Sequence, residues 1–258
     1  MKKKIILFLL FLLIPTLCVA GFNDKIRAVI VAKNATPDGC STPDNGNTLD
    51  EGFPSPTDLT WTDTGSTITI GANLPGTGPT GTWDTCDLGV RFEAANSATW
   101  KYHNLGSTVD RTKNITITQI VYMNAATLTA YADNNVFSFG TAANPATNPL
   151  VYVRFRYTTG TTYTFWATGS SASSQINVAL GTYYKITLTL DGAGAASGSS
   201  IDIDSWNGST WGDVGSATFT RADVADPQYV HVGPYAGVGS GESLDMYVGL
   251  LSINAVTP

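Results

Sequence analysis

Glutamate, histidine, cysteine and methionine are all scarce in this sequence. Among 258 residues there are three Glu, two His, three Cys and three Met, and only 13% of positions are charged. So few strong helix-forming charged residues exclude a coiled coil or a helical bundle. With 43% hydrophobic residues the chain is not a charged disordered segment either. Beyond Lys2, Lys3 and Lys4 there is no cluster of Lys or Arg, which speaks against a phosphate-binding surface. What is present is threonine, about one residue in seven, with 26 Gly, 12 Pro and 10% aromatics. That balance predicts a turn-rich β protein, of a length that all-β sandwiches commonly use as one domain.

The first 20 residues read as an export signal. The three lysines form a basic start, residues 5–14 are apolar, Pro15 breaks the run, and Cys18-Val19-Ala20 offers small residues for cleavage after Ala20. The apolar run is short for a bilayer span, and Leu17 before Cys18 does not fit a lipoprotein signal. The expected location is secreted or extracytoplasmic, with no membrane attachment after cleavage. Removing residues 1–20 leaves 11 basic against 20 acidic residues, a net charge near −9. Nucleic acid is therefore not expected as a partner. Two cysteines remain, Cys40 and Cys86. An even number in an exported chain predicts a disulfide, worth ~4 kcal/mol for a loop of this size in the chain-entropy model; two separate thiols are the alternative. The histidines, His103 and His231, have no ligand spacing to that pair.

Residues 21–58 are turn-rich and read as a lead-in segment, with the sandwich domain over 59–258. Short β-type runs follow at 66–70, 89–93, 99–104 and 114–123, with 71–81 as a loop. In the middle the alternation is clear. Val151, Val153, Phe155 and Tyr157 share one face, and Tyr152, Arg154 and Arg156 the other. Tyr184, Ile186, Leu188 and Leu190 oppose Lys185, Thr187 and Thr189, while Ile201 and Ile203 oppose Asp202, Asp204 and Trp206. Thr159-Gly160 marks a hairpin, and Asn207-Gly208 predicts a tight two-residue turn with positive φ at both positions. Runs at 229–232 and 246–253 bring the total to about eleven strands. The expectation is all-β, a two-sheet antiparallel β-sandwich of jelly-roll type.

An ordered set of segments carries a resemblance. Asp50-Glu51-Gly52-Phe53 and Trp61-Thr62-Asp63-Thr64-Gly65 stand at the start, and Leu88-Gly89-Val90-Arg91-Phe92-Glu93 follows as a first core strand. Then come Tyr183-Tyr184-Lys185-Ile186-Thr187-Leu188, Val230-His231-Val232-Gly233 and Met246-Tyr247-Val248-Gly249. Over about residues 50–255 this order resembles the concanavalin A-like lectin/glucanase superfamily, especially its laminin-G-like jelly rolls. The resemblance implies a concave sheet and rim loops that often hold carbohydrate, sometimes beside calcium. It implies no single activity, because the fold hosts lectins, glycosidases, lyases and adhesion modules.

The superfamily's glucanases carry Glu-x-Asp-x-Glu on one strand, and Glu51, Glu93 and Glu242 are too far apart in the chain to form it. Asp202/Asp204 and Glu242/Asp245 are the nearest carboxylate pairs; the first reads as a solvated face balanced by Lys185, Arg154 or Arg156, the second as a turn. A lyase would need a Tyr, His or Lys base beside basic groups, and Tyr152, Arg154, Arg156 and Lys185 form one such set. Calcium, the cofactor left open, has oxygen-rich candidates at 44–51 and at Asp223 with Asp226, although solvated turns explain both. For glycan binding the preferred platform is Trp206, Asn207 and Trp211 with Asp202 and Asp204, since sugar rings stack on flat aromatic faces; cross-strand pairing of the tryptophans is the structural alternative. Trp83, Trp100 and Tyr102 are further aromatics in or beside polar, turn-rich sequence, while Trp61 and Trp166 read as packing residues. The leading expectation is an exported, non-catalytic module for carbohydrate or a cell-surface component. The alternatives are a structural or adhesion module, and a glycan-active hydrolase or lyase.

Overall fold

A computed structural model describes residues 49–51, 62–64, 68–76, 78–79, 88–193, 198–236 and 238–255. Residues 1–20, most of 21–58, Trp61, Trp83 and both Cys40 and Cys86 lie outside the described residues, so the signal segment and the disulfide do too.

In chain order the strands are β1 (Leu49–Glu51), β2 (Thr62–Thr64), β3 (Ile68–Asn73), β4 (Leu88–Ala95), β5 (Trp100–Asn104), β6 (Ile115–Thr127), β7 (Asp133–Gly140) and β8 (Pro149–Tyr157). They continue as β9 (Tyr163–Thr168), β10 (Ile176–Val178), β11 (Tyr183–Leu190), β12 (Ser199–Trp206), β13 (Trp211–Phe219), β14 (Tyr229–Ala236) and β15 (Ser243–Asn254). Among the described residues there is no helix. Two antiparallel sheets form the sandwich that the sequence pattern predicts. One has eight strands in the order β13-β12-β11-β6-β15-β4-β3 with β1 on β15, and the other has seven in the order β10-β9-β8-β7-β14-β5-β2.

The core lies between the sheets and is built by the alternation. Val151, Val153 and Phe155 from β8 meet Ile186, Leu188, Ile201 and Ile203 from the opposite sheet, all essentially solvent-free. Because successive side chains on a strand point to opposite faces, Tyr152, Arg154 and Arg156 then stand on the outer face of the seven-stranded sheet. Lys185, Asp202, Asp204 and Trp206 stand on the outer face of the eight-stranded one. The sequence set of Tyr152, Arg154, Arg156 and Lys185 is thereby divided, since Lys185 belongs to the other sheet.

Four other expectations change. Residues 71–73, read as loop, extend β3, and Leu49–Glu51 of the lead-in segment pairs with Ile253, Ser252 and Leu251 of β15. Asp245, read as part of a turn, lies in β15. The Asn207 turn has four connecting residues rather than two: Asn207 donates its N–H to the Thr210 carbonyl at 3.2 Å, and of the two turn positions only Gly208 has positive φ, +97°. The loops above β6 and β11 are tied by a buried cation. Arg221, 1% exposed, donates to the carbonyls of Asp191 at 2.7 Å, Ala222 at 3.1 Å and Arg111 at 3.2 Å.

Candidate functional site

The outer face of the seven-stranded sheet concentrates chemistry. Antiparallel register aligns Tyr102 on β5, His231 on β14, Ser138 on β7, Tyr152 on β8 and Thr168 on β9 in one cross-strand row. Asn135 stands opposite Arg154, and Arg154 opposite Trp166; Asp133 stands opposite Arg156. Tyr235 joins this face through an irregularity in β14, where pairing with β7 jumps between Val232 and Ala236. Its ring lies 6.5 Å from Trp100, 6.4 Å from His231 and 6.2 Å from Tyr152.

Gly233 makes that irregularity possible. Its φ is +98°, and a Cβ there would sit 2.7 Å from the Phe92 ring and 2.9 Å from the Thr99 carbonyl oxygen. Neither the backbone angle nor the space suits a side chain.

His231 is 1% exposed, and its hydrogen bonds fix its tautomer. Nε2 lies 3.1 Å from the Ala143 carbonyl oxygen, which only accepts, so Nε2 carries the hydrogen. Nδ1 then accepts from Ser138 Oγ at 3.0 Å. Burial pushes the imidazole below its ordinary value, while the carbonyl of Ala143 pulls the other way. His231 is thus held as a neutral base. Burial pushes the Tyr235 phenol far up, with the neighbouring Ser138 hydroxyl only partly offsetting it, so Tyr235 stays a proton donor. Tyr152 is raised by burial as well, against the nearby Arg154 charge, whose guanidinium lies 5.6 Å from its ring.

Positive charge on this face is partly neutralised. Asp133 accepts from Arg154 at 2.9 Å and from Arg156 Nε at 2.7 Å, so one carboxylate serves two guanidiniums. Arg156 also lies 4.7 Å above Trp166. Trp100 Nε1, Asn135 Oδ1, Arg154 Nε, Thr168 Oγ1 and Tyr235 Oη are buried with no hydrogen-bond partner. Each such group costs free energy unless something polar meets it. Five of the nine such atoms among the described residues lie on this face, and two others belong to Gln119 on the opposite sheet.

The opposite outer face holds the platform residues of the sequence reading. Trp206 and Trp211 are cross-strand partners with rings 5.4 Å apart, and both pack on a cluster of Leu74, Ile120, Tyr183 and Tyr247. Asn207 Oδ1 accepts from the N–H groups of Ser209 and Thr210, and its amide donates to Thr210 Oγ1, so its polar atoms close the turn. Asp204 pairs with Lys185 at 2.6 Å, and the Lys185 ammonium lies 5.4 Å from the Trp211 ring. Of the three cations expected to balance Asp202 and Asp204, Arg154 and Arg156 lie on the other sheet. Asp202 is raised by burial and by neighbouring Asp204 and Asp213. The row continues as Tyr183, Tyr122, Tyr247 and Arg91, neighbours in register across four strands.

The remaining acidic candidates have partners of their own. Asp245 holds Arg91 at 2.8 Å and accepts from Asn124 at 2.6 Å. Hydrogen bonds from Thr129 and Gly239 keep the Glu242 carboxyl below its usual range. Asp223 and Asp226 both engage Arg111. Among the described residues no three His, Cys, Asp or Glu side chains gather as a metal site.

Sequence reasoning missed Tyr235, Asn135 and Ser138. The even spacing of His231 and Tyr235 was a usable signal, but Gly233-Pro234 between them reads as a strand end.

No family model matches the chain, and no curated protein matches it. Solved structures do resemble it. A carbohydrate esterase from the Shiga toxin-encoding bacteriophage phi24B superposes with a TM-score of 0.53 at 11% identity, covering 84% of this chain and 99% of that one. A marine alginate lyase from Zobellia galactanivorans gives 0.45 at 15% identity, over 67% of this chain and 80% of that one. An alginate lyase from Pseudomonas aeruginosa gives 0.43 at 10% identity, over 65% and 83%. At such identities the likeness is one of fold: a jelly-roll β-sandwich, as the resemblance to the concanavalin A-like superfamily implied.

Proposed function

We propose that this protein is an exported, carbohydrate-active β-sandwich that takes an acidic glycan on the outer face of its seven-stranded sheet and cleaves it by β-elimination. One observation carries the reading: Tyr235, His231, Asn135 and Arg154 converge on one face, with polar atoms of Tyr235, Asn135 and Arg154 unpaired. Elimination needs three things of a protein. A uronate carboxylate must be held so that its adjacent C–H becomes acidic, a base must take that proton, and an acid must protonate the departing glycosidic oxygen. As the C–H and C–O bonds break, a C=C bond forms in the sugar.

Arg154, whose Nε is a donor without a partner, suits the carboxylate, while Asn135 Oδ1, which only accepts, suits a sugar hydroxyl. Arg154 also offers local positive charge on a chain of net negative charge, and beyond about 10 Å the distant carboxylates are screened. The Nδ1 lone pair of neutral His231 is taken by the Ser138 hydroxyl, so its basicity reaches the sugar through that serine: Ser138 Oγ accepts the C–H proton as its own hydrogen passes to Nδ1. Tyr235, its phenol held protonated, supplies the acid. This departs from the non-catalytic leading expectation and favours the lyase alternative, with Tyr235 and His231 replacing Lys185.

The test is incubation with alginate, pectate and other polyuronates, read by the ultraviolet absorbance of the unsaturated product. Tyr235→Phe is expected to lower the rate by about 10²–10⁴-fold with the fold intact. Absence of product from the wild type on every polyuronate, or an undiminished rate in Tyr235→Phe, overturns the reading. Retention of the wild type on a glycan without cleavage would favour the non-catalytic module. Its observation is the Trp206–Trp211 pair on the opposite face.

Cleavage after Ala20 and a Cys40–Cys86 bridge belong to the same proposal and rest on the sequence alone. Mass measurement of the exported protein, with thiol labelling before and after reduction, tests both.

A further inference from the structure

A second region of the molecule is concave. Where the end of β6 faces the β8–β9 hairpin, the sandwich opens on a cavity of about 240 Å³ lined by Ala126, Thr127, Leu128, Tyr157, Gly160 and Tyr163. This lies just under the roughly 300 Å³ at which sites for drug-sized molecules begin, so it suits one ring rather than a chain. Two tyrosines form its walls, 5.4 Å apart and tilted by 44°, and Tyr163 is backed by Phe155 stacked at 5.4 Å and 5°. That backing fixes one flat aromatic face. No charged side chain lines the cavity.

Beside it stands Tyr131, 61% exposed, the one large hydrophobic side chain left in solvent among the described residues. Its φ is +67°, a region that bulky side chains rarely occupy. Its N–H donates to the Tyr157 carbonyl at 2.9 Å, anchoring it to the cavity wall. A bulky aromatic held in an unfavourable conformation with its ring in water points to a use for that ring.

We infer that this end cavity is a binding site for a single neutral pyranose, taken as a glycan terminus or branch, with Tyr131 as its outer platform. The C–H face of the sugar lies on the tyrosines, and the Thr127 hydroxyl and the backbone at Gly160 meet its hydroxyls. The absence of charge in the lining selects a neutral sugar, which separates this site from the arginine-bearing face proposed above. The inference stands independently of that proposal.

The test is an amide NMR titration of the full protein with methyl glycosides of neutral hexoses and short neutral oligosaccharides. Saturable shifts are expected at Thr127, Leu128, Gly160 and Tyr163. Tyr131→Ala, a surface change, is expected to weaken binding at least tenfold, and Ala126→Leu, which fills the cavity, to abolish it. Polyuronate cleavage is expected to be unchanged in Tyr131→Ala. No saturable shift at these amides across the panel, or affinity undiminished in Tyr131→Ala, overturns the inference. If Ala126→Leu fails to fold, Tyr131→Ala alone decides it.

Discussion

Ser138 and His231 face each other across β7 and β14, the serine hydroxyl 3.0 Å from Nδ1, while the Ala143 carbonyl holds the other ring nitrogen. Both side chains are cut off from solvent. The imidazole is therefore built into the fold as a neutral group, and that has a measurable cost in acid.

His231 has its folded value lowered from about 6.5 by burial. Above that pH both folded and unfolded states carry neutral histidine and nothing changes. Below it the unfolded chain takes a proton that the folded one refuses, so stability falls as pH drops from about 6.5 toward the folded value. Urea unfolding at pH 7.5 and pH 5 is expected to show this loss. His231→Asn is expected to lose about 1–3 kcal/mol at pH 7.5 through the broken hydrogen bonds and to show a smaller further loss at pH 5.

Gly233→Ala forces a Cβ against Phe92 and the Thr99 carbonyl at a φ of +98°. We expect a loss of roughly 1–3 kcal/mol, measured by thermal or urea unfolding. Because Tyr235 follows two residues later, the polyuronate cleavage proposed for this face is expected to fall as well, even at temperatures where the variant remains folded.

Arg221 is satisfied by three backbone carbonyls rather than by a carboxylate, and burial lowers its proton affinity from the ordinary arginine value. Replacing it with Met keeps much of the volume but orphans those carbonyls. The expected cost is about 1–3 kcal/mol for each buried carbonyl left without a donor. Amide exchange should quicken around 111–114 and 191–192 before the rest of the sandwich opens.

Trp211→Ala removes the cross-strand partner of Trp206 and the ring near Lys185. Such aromatic pairs contribute about 0.5–1.5 kcal/mol beyond their buried area, and Lys185→Met, removing a partly buried ion pair at the sheet surface, should cost about 1 kcal/mol. Retention on neutral and acidic glycans, measured for the same two proteins, separates a packing role from the platform role. A stable Trp211→Ala protein that loses retention would favour the platform.

Much of the architecture was legible in the residues because period-two alternation has a direct physical cause. Val151, Val153 and Phe155 are buried and Arg154 and Arg156 are not, so β8 shows its register plainly. By contrast β7 begins Asp133-Asn134-Asn135 and bulges against β8 before Phe137, which hides its pattern. Strand β13, with Gly212, Asp213 and Gly215, has little hydrophobic signal, and β10 spans three residues. Alternation also tells which side of a strand a residue takes, but not which sheet the strand joins. Lys185 was therefore grouped with arginines that lie on the far side of the molecule. Tyr235 and Ser138 meet through the pairing of β14 with β7, strands about ninety positions apart, and nothing local in either segment announces that partnership.

The last of the described strands, β15, occupies a central place in its sheet, between β6 and β4, and also receives β1. Until it arrives, β6 and β4 have no common neighbour, β1 has no partner, and the larger sheet exists only as three separate pieces. Closure must wait on contacts between distant parts of the chain, which makes folding slow. A polypeptide of this layout stays open, and vulnerable to aggregation through its waiting strand edges, for as long as synthesis or transport withholds Ser243–Asn254.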